Sequence, residues 1–331
     1  MRRVIGTVLL GLGIALAVFA AGLRFYVAPL GTNIPYDLEP STTLAESPNS
    51  TWLSAGADGA TVKTGKLISS TDVRPQPVLT RDKLPSDLQG KAVIWDVYSQ
   101  IKDTDGHLVS GSSTEFALDR KTGSYVQWDG TWVNDGGSAT KVSYEGNSYK
   151  LPFYTKKQTY LYWDDNAGKA SDLYFVRTET IGGLEAYVFE QSYNRVKANV
   201  SDDTLTLLSA VVGDGSDKGA AYYSTTRTLW VEPVTGQFLN VRETPHAWYE
   251  TTTEDGTVKT ITMLRGKFEY TEQSKAEALE TIKANRDLLQ LVSVTLPATT
   301  GGAGVVLLIV GIVLLASGRR PQGAHEAPAG A

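Results

Sequence analysis

The sequence predicts a mainly β protein, in which a large antiparallel, barrel-like β-sheet domain with few helices is flanked by N- and C-terminal transmembrane helices. Three observations carry this prediction. Uncharged apolar runs stand at both ends of the 331-residue chain. Between them, β-branched and aromatic runs of about five to eight residues are separated by Asp-Gly, Gly-Gly and Thr-Gly pairs. Helical periodicity is confined to two stretches.

Residues 4–23, VIGTVLLGLGIALAVFAAGL, contain no charge. About 20 apolar residues in a helix cross the roughly 30 Å hydrocarbon layer. Residues 298–317, ATTGGAGVVLLIVGIVLLAS, repeat the pattern. Arg2 and Arg3 precede the first run, and Arg319 and Arg320 follow the second. Positive flanks stay inside, so residues 1–3 and 318–331 are expected in the cytoplasm and 24–297 outside a plasma membrane crossed twice. Gly6, Gly11 and Gly13 permit close helix contact. A cleaved signal peptide ending at Val18-Phe19-Ala20 is the rival, and the length of the apolar run favours a retained helix. Leu296-Pro297-Ala298-Thr299-Thr300-Gly301 resembles a sortase signal, but Thr300 intervenes before the Gly and eleven residues follow Arg320. A membrane-entry loop is the simpler expectation.

After the first run, residues 28–43, rich in Pro and Thr, read as an extended riser. About ten short strands follow. AVIWDVYSQI (92–101) turns at Asp105-Gly106, ETIGGLEAYVFEQ turns at Gly182-Gly183, and TRTLWVEP turns at Thr235-Gly236. Such pairs tolerate positive φ and suit hairpins. Thr122-Gly123 and Thr235-Gly236 follow Leu-Asp-Arg and Val-Glu-Pro, and mark related hairpins. Trp95 and Trp230, inside apolar strand runs, are expected core anchors. Residues 201–212 form a short helix capped by Ser201. In 271–293, Leu279, Ile282, Leu289 and Val292 share one helical face, predicting a juxtamembrane helix that Pro297 stops.

Composition excludes several chemistries. With no Cys there is no disulfide, thiolate catalysis or Cys-bound zinc. A formal net charge of −5 without like-charge blocks speaks against nucleic acid. His107 and His246 are the histidines between the spans, and no Gly-x-Ser-x-Gly elbow accompanies them. Asp103-x-Asp105-Gly106 resembles part of a calcium loop, but Ile101 occupies the first ligand position, so a hairpin tip is expected. Gly213-Asp214-Gly215-Ser216-Asp217 reads as a loop, and the three Trp-Asp pairs are too few and too closely spaced for a propeller. No enzyme activity, metal or cofactor is expected.

The densest aromatic cluster, KLPFYTKKQTYLYWDD (150–165), lies among basic residues. It reads as a strand from Phe153 to Trp163 with Tyr154, Lys156, Gln158, Tyr160 and Tyr162 on one face. That face is either half-exposed strand packing or a contact surface for a lipid headgroup or glycan. The ligand-contact candidates are Tyr154, Lys156, Tyr160, Tyr162 and Trp163.

The series Ile94-Trp95-Asp96-Val97, Ala117 to Gly123, and Lys150-Leu151-Pro152-Phe153 with Lys157, Tyr160, Tyr162, Trp163 and Asp164, set between two spans, resembles the actinobacterial Porin PorA family over nearly the whole chain. Leu151 stands where the family carries an aromatic residue. The resemblance brings no catalytic residues. A membrane β-barrel needs strands of about ten residues with an apolar outer band, and the expected strands are shorter, with Thr, Ser, Lys and Asp outward. The two-span topology is similar to that of class B scavenger receptors, whose β-rich domains enclose a lipid tunnel. The expectation is a membrane-anchored extracytoplasmic domain that binds or conducts an amphipathic, lipid-like envelope component. The alternatives are a structural or interaction protein of the envelope and a porin-like channel component.

Overall fold

A computed structural model describes residues 1–56, 59–212, 219–253 and 256–317. The oxygen-rich loop 213–217, Asp255, Arg319 and Arg320 lie outside the described residues. The chain divides into two compact units: Met1–Thr32 with Arg286–Ala331, and Asn33–Asn285.

The first unit pairs α1 (Arg2–Gly22) with a C-terminal helix, Leu296–Ser317. Both belong to helices long and apolar enough to cross a membrane. Gly6 packs on Gly311 and Gly13 on Gly304, where an added Cβ would lie 3.0 and 2.8 Å from the facing carbonyl oxygens. The expected glycine contact holds for Gly6 and Gly13, while nothing approaches Gly11 within 4 Å.

Pro297 does not end the helix, contrary to expectation. It is the second residue of Leu296–Ser317, and the π turn Leu291–Thr295 precedes it. The N-terminal helix repeats the device: the π turn Leu23–Val27 leads into α2 (Ala28–Gly31), which contains Pro29. The extended riser therefore starts later than expected. Proline lacks an N–H and collides with the carbonyl four residues back; a wider turn relieves both problems. Hydroxyls satisfy nearby carbonyls, Thr299 Oγ1 donating to Thr295 O at 2.9 Å and Thr300 Oγ1 to Leu296 O at 2.6 Å.

The second unit begins with the hairpin β1 (Ser41–Gly56) and β2 (Gly59–Pro75), then α3 (Pro77–Lys83). A second hairpin, β3 (Ala92–Asp103) and β4 (Leu108–Asp119), is followed by short strands β5 (Tyr125–Val126), β6 (Trp132–Asn134) and β7 (Thr140–Lys141). Next come β8 (Tyr160–Asp164), β9 (Lys169–Ile181), β10 (Leu184–Lys197), α4 (Asp202–Val212) and β11 (Ala220–Val231). The last strands are β12 (Phe238–Glu243), β13 (His246–Thr252), β14 (Val258–Arg265) and β15 (Phe268–Tyr270). The helix α5 (Glu272–Gln290) then leads through the π turn into Leu296–Ser317, which is α6.

These strands form one large antiparallel sheet in the order β7-β6-β4-β3-β2-β1-β14-β13-β11-β10-β9-β8, with β12 and β15 forming a second route between β11 and β1. Single bridges from Asn147 to Ser124, beside β5, and to Tyr162 of β8 bring the pairing back to β4. The hydrogen-bonded circuit is thus closed through this one residue, while β7, paired only with β6, remains an edge strand.

Several strands are long. β1 and β2 run 16 and 17 residues, although the sequence suggested five to eight. Ser and Thr on both faces hide their period-2 pattern. Their length would suit a membrane barrel, but exposed Thr61, Lys63, Thr64 and Lys66 on β2 make no lipid-facing band.

One apolar cluster joins Val93, Trp95, Val97, Phe116, Leu118 and Trp163; another joins Leu151, Tyr162, Leu173, Phe189, Leu229 and Val231. On other faces, Leu84 after α3 covers Ile94 and Ala117, and Ile282 of α5 covers Val188 and Trp230. Trp95 and Trp230 are 6% and 5% exposed, as core anchors should be. α4 carries the expected cap, Thr204 N donating to Ser201 Oγ at 3.2 Å.

Candidate functional site

Two turns of the same chemistry hold the basic aromatic stretch. In Asp119–Gly123, one carboxylate oxygen of Asp119 accepts from Thr122 N at 2.8 Å and Thr122 Oγ1 at 2.9 Å, and Gly123 N donates to Asp119 O at 2.9 Å. In Glu232–Gly236, Glu232 Oε2 accepts from Thr235 N and Oγ1, both at 2.8 Å, and Gly236 N donates to Glu232 O at 2.9 Å. The two Thr-Gly pairs are related turns, as the sequence suggested.

Residues 147–155 are held between them. Asn147 Nδ2 donates to Thr122 O at 2.9 Å and to Lys150 O at 3.0 Å. On the other side Leu151 N reaches Gly236 O at 2.8 Å, Tyr154 N reaches Val234 O at 3.0 Å, and Thr155 N reaches Pro233 O at 2.7 Å. Gly236 has φ +73°, and a Cβ there would lie 2.0 Å from Leu151 O, so only glycine fits. Lys150 is buried; its amine donates to Leu151 O at 2.8 Å and lies 3.8 Å from the Phe153 ring centroid. Burial pushes its pKa down to about 7, partly opposed by Asp119.

The expected strand from Phe153 to Trp163 does not form; β8 covers only Tyr160–Asp164. The backbone donors of Leu151, Tyr154 and Thr155 are engaged by the 233–236 turn, and Tyr154 takes φ +55°. No alternating face can exist there. Tyr154 is 50% exposed and Lys156 is exposed. Tyr160 is half-buried, its hydroxyl accepting from Lys156 N at 2.8 Å. Tyr162 and Trp163 are each 6% exposed, which removes both from any surface contact face. The Tyr162 hydroxyl donates to Ser148 O, and Trp163 Nε1 to Asp165 Oδ1 at 2.8 Å. Beyond the clamp, the Lys157 amine stands 4.8 Å from the Tyr187 ring centroid and 5.7 Å from that of Phe175. It caps the second apolar cluster.

Beside that cluster lies an ionic group that sequence reasoning missed. Arg227 Nη2 is 3.0 Å from Asp164 Oδ2 and 2.9 Å from Glu243 Oε1, and Nη1 donates to Gln191 Oε1 at 2.7 Å. Tyr223 OH donates to Glu243 Oε1 at 3.0 Å. Asp164 and Gln191 are essentially inaccessible, and Arg227 is 8% exposed. Burial disfavours the guanidinium charge, but Glu243 and Asp164 outweigh it and hold the Arg227 pKa well above its usual value. Burial raises the Tyr223 pKa. One signal was available: Tyr223, Thr225, Arg227 and Leu229 alternate on one strand face, placing a cation in a row of buried positions.

Elsewhere, Asp96 and Glu115 are cross-strand partners on β3 and β4. Gln76 Nε2 donates to Asp96 Oδ2 at 2.6 Å, and Trp132 Nε1 to Glu115 Oε1 at 3.3 Å. Burial and the neighbouring Asp96 push the Glu115 pKa up to about 7. At the β3–β4 tip, Asp103, Asp105 and His107 bring ligand atoms within 4.8 Å of one another. Asp103 Oδ1 accepts the N–H groups of Asp105 and His107 at 3.0 and 2.9 Å, the arrangement of a hairpin tip. His246 lies on β13 against Trp248, ring centroids 4.7 Å apart.

A family model described as Porin PorA matches residues 5–313. A Porin PorA of Corynebacterium resistens is 26% identical over 416 aligned positions, covering 97% of this chain and 98% of the relative. A Porin PorA of Corynebacterium amycolatum is 24% identical over 383 positions, covering 94% and 98%. With the match running from the first apolar helix into the last, the chain belongs to the Porin PorA family.

Proposed function

We propose that the protein is a membrane-anchored component of a porin-like channel, with both termini cytoplasmic and the β unit outside. The observation that carries this reading is the buried Arg227–Asp164–Glu243 cluster within the closed strand circuit, taken with the names of the relatives. The cluster is largely sealed from solvent and does not face a passage in the single chain. Ionised groups inside the strand circuit nevertheless suit polar solutes better than a lipid conduit, which calls for continuous apolar lining. The polar outer residues of β2 argue that the strands do not cross lipid. The glycine contacts of α1 and α6 leave no passage between the two helices, so a membrane pore would need several copies. The reading invokes no chemical step.

The test is reconstitution of the full chain in planar bilayers. Stepwise conductance is expected, with ion selectivity altered by Asp164→Asn. Silent bilayers into which the chain has demonstrably inserted would refute the channel.

A second reading, binding of an amphipathic envelope component, is favoured by the aromatic cluster that Lys157 caps and by exposed Tyr154 and Lys156. Its test is lipid mass spectrometry on the protein purified from its native envelope. Loss of co-purified lipid in Tyr154→Ser/Lys156→Glu supports it, and equal lipid in the variant removes it.

A further inference from the structure

A polar groove of about 320 Å³ opens on β10, β11 and β13, at the point where β11 passes from pairing with β13 to pairing with β12. Its lining offers the hydroxyls of Ser192, Ser224, Thr226 and Thr244, the amide of Asn194 and the imidazole of His246. The Thr225 side chain turns away, to the buried strand face of Tyr223 and Arg227, and leaves the groove to these polar groups.

One wall continues into a ladder of flat rings. His246 stacks on Trp248 at 4.7 Å, and Trp248 on Tyr222 at 5.8 Å, both with 29° between planes. Register explains the ladder: Tyr222 pairs with Trp248, and Ser224 with His246. Arg195 closes its far end, 4.1 Å from the Tyr222 ring centroid. This arginine has φ +48° at the β10 bulge between Tyr193 and Val196. It is fixed by two bonds to Glu250, at 2.9 and 3.0 Å, and by its N–H to Ser224 Oγ at 2.9 Å. Left-handed backbone at a bulky residue persists only where its surroundings over-determine it, and such outliers gather at binding sites. Arg195 and Glu250 neutralise each other. Burial and Arg265 lower the His246 pKa, which favours the neutral imidazole.

We propose that this groove binds a neutral saccharide. Hydroxyl, amide and imidazole groups supply donors and acceptors without net charge, as a polyhydroxylated ligand requires. The adjoining rings offer apolar surface to the C–H face of a sugar, and the volume lies at the small end of ligand pockets. The site is separate from the ionic cluster and the capping segment, so it stands or falls independently of channel activity.

The test uses the full chain in an amine-oxide detergent, which carries no sugar headgroup. The probes are printed neutral oligosaccharides of two to six hexose or pentose units, with uronic-acid oligosaccharides alongside. The expected result is binding of a subset of the neutral probes, with a change in tryptophan fluorescence on titration. Trp248→Ala should weaken binding at least tenfold. Thr226→Arg, a change at an exposed strand position that fills the groove, should do the same in a normally folded protein. No neutral probe bound by the wild type, preference for uronic acids, or unchanged binding in Thr226→Arg would each overturn the proposal.

Discussion

At the scale of single residues, Arg227 bears the largest consequence. It faces two carboxylates from inside the molecule, so its removal leaves Asp164 buried and Glu243 half-buried without a counter-charge. Breaking such a pair from one side costs about 3–5 kcal/mol. Arg227→Met should lower the stability measured by denaturant unfolding by that amount, and a loss below about 1 kcal/mol would mean that solvent reaches the carboxylates. Glu115 makes the opposite kind of prediction. Its pKa is raised from 4.5 to about 7 by burial and by Asp96, so the folded state holds this proton more tightly than the unfolded chain. The resulting stability is fully present below about pH 4.5 and is lost as pH rises to about 7. Glu115→Gln should flatten that part of the stability–pH curve. An unchanged slope would show that the fold does not raise the Glu115 pKa.

At the scale of elements, the segment around residues 150–158 is held by turns rather than by a ladder. Its grip depends on Gly236, where φ is +73° and a Cβ would meet Leu151 O at 2.0 Å. Gly236→Ala therefore adds left-handed strain of about 1–3 kcal/mol to a steric clash. The segment should loosen before the sheet does, because the circuit closes through Asn147 and β8. Trypsin should cut faster after Lys156 in this variant while the far-UV circular dichroism stays unchanged. Cutting at the wild-type rate would show that the three backbone bonds to residues 233–236 do not secure the segment. Both π turns have a comparable local logic, each placed just before a proline that a regular α-turn would not accommodate.

At the scale of the whole molecule, the testable matter is which side of the membrane each unit occupies. The chain has no cysteine, so single introduced cysteines report cleanly. Asp105→Cys, at the β3–β4 tip, should react with a membrane-impermeant maleimide in intact cells. A cysteine appended after Ala331 should react only after lysis. The reverse pattern would invert the proposed topology. A mature N-terminus near Ala20 would show that the first helix is cleaved.

Features that depend on neighbours in sequence were legible from it. The two apolar runs, the Gly182-Gly183 and Thr235-Gly236 hairpins, the Ser201 cap and the α5 periodicity each reflect bonds within a few residues. Trp95 and Trp230 were legible as core because their own strands are apolar. What depends on partners distant in sequence was not. The length of β1 and β2 was hidden because Ser and Thr satisfy either face of a strand, and only pairing with β3, β14 and β15 reveals it. KLPFYTKKQ alternates well enough for a strand, yet turn 233–236, some 80 residues away, takes its backbone donors. The partners of Arg227, Asp164 and Glu243, stand on other strands and meet it only in the folded chain. Local periodicity sets which element a segment prefers, but closure of the strand circuit decides which polar groups are buried together, and buried charge is tolerated only where that closure supplies its partner.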